Sequence, residues 1–310
     1  MHRLSESDRD RLIESRPLSL AIARDWRRGG SYRAILRRFE GAGDCPEALA
    51  DAAEAVLIET DWAALLAPLI AALAAHPFFE PPFRVSRDAM RAGAVLIEAP
   101  GAAISTSLLD GRALPGPATI IFPGYVTVTR YLKSGGATLR RWEADPLTPD
   151  FSAATAAPCR PLPSLALNDG AIHRCDGRTR TQLLADASGP ILQIVATVRA
   201  GAAPLIREHR IADGALVRVV SADEAASRTE MLLAFLRRSG RADAGPRFHA
   251  ATRDPAFHTR WTAMREWLGL DARAALPRLA EMAANDPHPE VRAAATATLA
   301  TVEARLACRA

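Results

Sequence analysis

The chain has little sulfur, few aromatics and almost no lysine. Four cysteines occur in 310 residues, Cys45, Cys159, Cys175 and Cys308, and no two stand in a C-x-x-C pair. That spacing excludes a zinc ribbon and argues against a secreted disulfide framework. Free thiols in a reducing cytoplasm are the expectation. Aromatics make up 5% of the chain, so its cores must rest on Ala, Leu, Val and Ile. Lys133 is the only lysine, and the net charge of +4 is therefore carried by arginine.

Long apolar runs are also missing. The longest, residues 62–75, contains Pro68. It falls short of the roughly 20 residues that span a bilayer. The N-terminal stretch MHRLSESDRDRL is charged and has no apolar core, so it does not read as a signal peptide. These features predict a cytoplasmic protein that does not enter a membrane.

Residues 1–82 read as a helical segment. Leu18, Ile22 and Trp26, then Ile35 and Phe39, then Val56, Leu57, Trp62, Leu65, Leu66, Leu69, Ile70 and Leu73 recur at helical spacing. Gly29-Gly30 and Gly41-Ala42-Gly43 part the helices, and Pro77, Pro81 and Pro82 end the pattern. From residue 83 to 221 short strand-like runs alternate with Gly, Pro and Asp. They fall at 94–98, 103–108, 119–122, 125–132, 138–143, 164–167, 179–184, 191–198, 205–211 and 216–220. That density predicts an antiparallel sandwich or barrel rather than βαβ units. The proline-rich segment 145–163 reads as an external loop. Residues 222–310 return to helix. Ser221 and Glu224 have the spacing of a capping box, and Leu232, Leu233 and Leu236 are expected to face inward. A further helix carries Phe257, Trp261, Met264 and Leu268 on one side, and two more lie near 271–284 and 289–307. The fold class is thus α+β, a central β domain with helical segments on both sides.

Two stretches resemble known families. Gly135-Gly136-Ala-Thr-Leu-Arg-Arg-Trp-Glu143, followed after a loop by Leu167-Asn-Asp-Gly170-Ala-Ile-His-Arg-Cys-Asp-Gly177, resembles the cupins across residues 84–220. The resemblance implies a double-stranded β barrel, a homodimer formed through the β domain, and a divalent metal held by histidines. The family's His-x-His positions fall on Arg141 and Glu143, and its third histidine falls near Arg180. Arginine stays protonated and has no lone pair to give a metal. The second stretch pairs Leu276, Pro277 and Leu279 with Asp286-Pro-His-Pro-Glu-Val291-Arg292, Ala295 and Leu299, and is similar to a HEAT repeat over 271–307. This similarity implies a protein partner held by the C-terminal helices.

Two candidate sites follow. Arg141, Glu143 and Arg180 would make a cationic pocket for a carboxylate or phosphate if their face of strand 138–143 points into the barrel. If Trp142 packs inward instead, they lie on the solvent side. His173 and Cys175, which share a face on a strand, would with His209 form an alternative site for iron, zinc, manganese or nickel. No G-x-S-x-G and no glycine-rich phosphate loop is present. The basic run Arg24, Arg27, Arg28, Arg33, Arg37 and Arg38 precedes an acidic one, Asp44, Glu47, Asp51, Glu54, Glu59 and Asp61, so internal pairing argues against nucleic-acid binding. Trp261, Arg265, Glu266 and Trp267 read as core packing before partner anchoring. The expected function is that of a non-catalytic, cupin-like protein with no cofactor, binding a partner protein or a small anion. A cupin-type dioxygenase or hydroxylase, or a small-molecule-sensing regulator, are the alternatives.

Overall fold

The structure, a computed structural model, describes residues 6–114, 116–148 and 151–308. The chain divides into two compact units, one of Met1–Ala144 with Cys159–Ala202 and one of Asp145–Pro158 with Ala203–Ala310. This division differs from the three consecutive segments 1–82, 83–221 and 222–310. The N-terminal helices share a core with the sheet that follows them, and the last β hairpin groups with the C-terminal helices.

The first unit opens with four helices, α1 (Glu6–Arg28), α2 (Gly30–Ala42), α3 (Pro46–Glu59) and α4 (Trp62–Ala75). Gly43, at φ 61°, ends α2. Pro46 fits the first turn of α3 because that turn's N–H needs no helical acceptor. Asp61 caps α4 by accepting from Ala64 N–H at 3.0 Å.

Ten strands follow: β1 (Arg84–Arg87), β2 (Arg91–Ala99), β3 (Ala102–Leu109), β4 (Thr119–Phe122), β5 (Val126–Lys133), β6 (Thr138–Glu143), β7 (Arg160–Ala166), β8 (Ile172–Asp176), β9 (Arg180–Ala185) and β10 (Ile191–Val198). Six of them form one antiparallel sheet in the order β1-β2-β3-β10-β5-β8. A second ladder runs β7-β6-β9. β4 lies beside β9, where Thr181 Oγ1 donates to the Ile121 carbonyl at 2.5 Å. The neighbours β3/β10, β4/β9, β5/β8 and β6/β7 are nested in sequence. That nesting is the jelly-roll arrangement, the architecture to which cupins belong.

Residue alternation assigns the two faces of the six-stranded sheet. Ile104, Val126, Val128, Ile194, Ala196 and Val198 pack on Ile35 and Phe39 of α2 and on Leu49, Ala53 and Leu57 of α3. Polar ties reinforce this contact. Arg130 donates to the Leu57 carbonyl at 2.6 Å, Arg174 pairs with Asp51 at 2.7 Å, and Arg178 pairs with Glu47 at 3.0 Å. The acidic run thus serves the sheet as well as the basic run, from which Arg38 reaches Glu59.

The second unit begins with a hairpin of β11 (Leu205–Arg210) and β12 (Leu216–Ser221). The helices α5 (Glu224–Arg238), α6 (Gly245–Ala251), α7 (Phe257–Leu270), α8 (Ala272–Asn285) and α9 (Pro289–Ala307) follow. Leu233, Phe248, Met264, Trp267, Leu279, Met282, Val291 and Ala295 form its core, with Trp261 packed against it. Both tryptophans therefore serve packing. Two local expectations are corrected. Asp223, not Ser221, caps α5, because Ser221 ends β12 and its hydroxyl accepts from Asp223 N–H. Leu232 is exposed, with Met231 and Phe235, because only Leu233 turns fully inward. Among the described residues no single helix is long and apolar enough to cross a membrane.

Candidate functional site

The face of β6 is settled by its buried neighbour. Leu139 is fully buried against Tyr131 of β5 and Ile191 of β10, strands of the opposite sheet. Leu139, Arg141 and Glu143 alternate onto the same face, so that face lines the jelly-roll interior. Trp142 is also buried, but it points the other way, with the Arg140 guanidinium 5.3 Å over its ring. Arg141 stands opposite Gln182 of β9, and Glu143 opposite Arg180. β8 supplies the facing wall, with His173 paired to Thr129 and Cys175 paired to Thr127 of β5.

This face thus brings together residues from both sequence-derived sites, with Arg180 on its exposed side, its side chain 60% in solvent. Arg141 donates through Nε and Nη2 to the Pro163 carbonyl, at 2.9 and 2.7 Å. Arg180 Nε donates to Glu143 Oε1 at 3.0 Å. Burial and the nearby Arg141 charge hold the His173 imidazole below its ordinary pKa, so it is neutral at neutral pH. Its Nδ1 is buried with no hydrogen-bond partner, as is Gln182 Oε1. Burial, with the charge of Asp176, pushes the Cys175 thiol up to about 11 against the opposing pull of Arg180 and Arg141. Cys175 is therefore a protonated thiol and a poor nucleophile. Burial, with Cys175, raises the Tyr131 hydroxyl above its usual range.

His209 belongs to the second unit. It is buried on β11, where its Nδ1 meets the Gly214 carbonyl at 2.8 Å and braces the hairpin turn. Among the described residues no three His, Cys, Asp or Glu side chains are placed to hold a metal ion. The residues at the cupin ligand positions do not fit a divalent cation either. Two are guanidinium groups, and the one carboxylate, Glu143, is paired with Arg180. What the arrangement offers is donors and positive charge beside a neutral imidazole and an amide. That set suits an anion with carboxylate or phosphate oxygens. Gln182 was missed in the sequence, although its place two residues after Arg180 puts both on one face of β9. Thr129 and Tyr131 gave no signal, because only the pairing of β5 with β8 brings Thr129 opposite His173 and Tyr131 near Cys175.

No family model matches the chain, and no curated protein does. Among solved structures, the chain is similar to the capsular polysaccharide assembling protein CapF from Staphylococcus aureus, at 11% identity and a TM-score of 0.27, over 39% of this chain and 29% of that one. It is similar to an oxalate oxidase at 11% identity and a TM-score of 0.25, over 39% of this chain and 56% of that one. It is also similar to hydroxypropylphosphonic acid epoxidase from S. wedmorenis at 12% identity and a TM-score of 0.25, over 58% of this chain and 96% of that one. The chain spans less than a third of CapF and little more than half of the oxalate oxidase.

Proposed function

We propose that this chain is a non-catalytic, cupin-like protein that binds a small carboxylate or phosphate inside its jelly roll. The observation that carries the reading is the approach of Arg141 and Arg180 on one sheet to His173 and Cys175 on the other. The buried, unpartnered Nδ1 of His173 and Oε1 of Gln182 add polar contacts that a ligand would complete. Arg141 and Arg180 bind the anion, and His173 and Gln182 orient it. A thermal-shift screen of dicarboxylates, monocarboxylates and phosphates tests the reading. At least one should raise Tm in the unaltered protein, and Arg141→Ala should remove the shift. No shift with any of these anions rejects it.

Association is a second reading, and two surfaces support it. β1 is the exposed edge strand of the six-stranded sheet, with its four residues in solvent, and unpaired edges recruit further strands. This supports a homodimer through the β domain. On α5, Met231, Leu232 and Phe235 are exposed together, which supports a partner protein at the C-terminal helices. Sedimentation velocity over a concentration series distinguishes them. Self-association weakened by Val85→Pro assigns β1, and self-association weakened by Phe235→Glu assigns α5. A monomer at every concentration rejects the homodimer.

A further inference from the structure

The second unit contains a cavity of about 540 Å³, whose walls include Leu205, Pro255, Phe257, His258, Arg260 and His288. That volume is in the range of small-molecule sites, which are mainly apolar with a few placed polar groups. Its polar side chains are those of His258, His288, Arg260 and the exposed Thr148. His288 is 6% exposed, and both of its ring nitrogens are buried without a hydrogen-bond partner. Both ring nitrogens of His258 are in the same condition. Buried polar atoms are nearly always bonded, so four orphaned nitrogens at one cavity form an unanswered set of donors and acceptors.

The surrounding groups narrow the chemistry. Phe257 stacks flat on His288, with centroids 3.8 Å apart and planes 4° apart, and this fixes the imidazole plane. Arg260 is already engaged. It grips Asp286 through two nitrogens at 2.9 and 2.7 Å and gives its third to the carbonyls of Asp254 and Pro255. The guanidinium and carboxylate charges cancel, so this is no anion site. Burial holds the His258 imidazole below its ordinary pKa, despite the carboxylates of Asp254 and Asp223. In a neutral imidazole one nitrogen donates and the other accepts. A hydroxyl group answers either one, since it does both.

The geometry points to a binding site for a neutral hydroxylated aromatic of the phenol or catechol type, its ring against Leu205, Pro255 and Phe257 and its hydroxyls on His258 and His288. This site is separate from the jelly-roll interior and selects by hydrogen bonding rather than by charge.

Calorimetric titration of the full chain with catechol, phenol and toluene tests it. Catechol should bind saturably and toluene at least about tenfold more weakly. His258→Phe and His288→Phe should each weaken catechol about tenfold, the loss expected for one hydrogen bond at the upper end of the usual range. Arg141→Ala should leave catechol binding unchanged. Absence of saturable catechol binding, equal binding of toluene, or indifference to both histidine variants overturns the site and leaves the nitrogens to water. If the phenylalanine variants do not fold, the ¹⁵N shifts of the two imidazoles in the unaltered protein decide. Movement of both on adding catechol supports the site, and no movement overturns it.

Discussion

A single buried ion pair shows how the charge of this chain is used. Arg260 and Asp286 lie in the interior of the second unit, with side chains 7% and 1% exposed. The Asp286 carboxylate accepts from Nε and Nη2 of Arg260 and from His288 N–H at 2.9 Å. Burial alone would raise its pKa, but these bonds outweigh burial and hold the carboxyl below the usual range. Breaking such a pair leaves one charge uncompensated, at a cost of about 3–5 kcal/mol. Arg260→Met should lower the urea stability by that order. Arg260→Met with Asp286→Asn should cost less than Arg260→Met alone, because the amide oxygen still accepts from His288 N–H and carries no charge. The pH dependence has a definite sign. A depressed carboxyl stabilises the fold above its unfolded pKa of about 4, and that contribution is lost as pH falls through the folded value. The gap between the unaltered protein and Asp286→Asn should therefore be full at pH 7 and narrow below about pH 4. A gap constant with pH would reject the ion pair as its source.

At the scale of elements, the jelly roll depends on turns that bring backbones together. Gly135, at φ 61°, begins the β5–β6 turn. Its carbonyl accepts from Ser188 N–H and Gly189 N–H in the turn between β9 and β10. A Cβ at Gly135 would sit 2.4 Å from the Gly189 carbonyl oxygen, whereas at Gly136 it would meet only Ser188 Oγ at 3.4 Å. Both positions need a positive φ, which costs a non-glycine residue about 1–3 kcal/mol. Gly136→Ala should thus cost about 1 kcal/mol and Gly135→Ala clearly more, as read from chemical unfolding. Equal costs would show that the close approach does not matter. The glycines that suggested a cupin motif are in this structure joints between turns. The strands β4, β6 and β10 were legible to the residue. β1 and β8 were not, because Arg-Val-Ser-Arg and Ile-His-Arg-Cys-Asp are edge strands with few β-formers. β7 starts four residues before the expected run, through Pro161 and Pro163, since an edge strand tolerates missing N–H donors. The spacing of Arg141, Glu143 and Arg180 was readable, but their direction was not. That direction is fixed by the contact of Leu139 with Tyr131 and Ile191, residues whose approach only the whole topology provides.

At the scale of the whole molecule, histidines held neutral set a response to acid. His173, His209 and His258 are each held below their ordinary pKa, in every case chiefly by burial. Unfolded, each titrates near about 6.5. The unfolded chain then binds more protons than the folded one, so stability rises with pH across that interval. The contribution is complete above about pH 6.5 and is lost as pH falls through the folded values. Glu230 acts with the opposite sign, since burial raises its pKa and favours the fold while it stays protonated. It offsets part of the histidine effect. A second loss belongs to carboxylates such as Asp169, held at about 2 by Ser134 N–H, the Lys133 ammonium and the Ser134 hydroxyl. The urea midpoint should therefore fall as pH drops below about 6.5 and fall again below about 4. His173→Gln and His258→Gln should each reduce the first step and leave the second intact. A flat profile between pH 7.5 and 5 would mean that these imidazoles reach water or an acceptor in the folded protein. It would remove the neutral His173 on which the anion site relies and the neutral His258 on which the aromatic site relies.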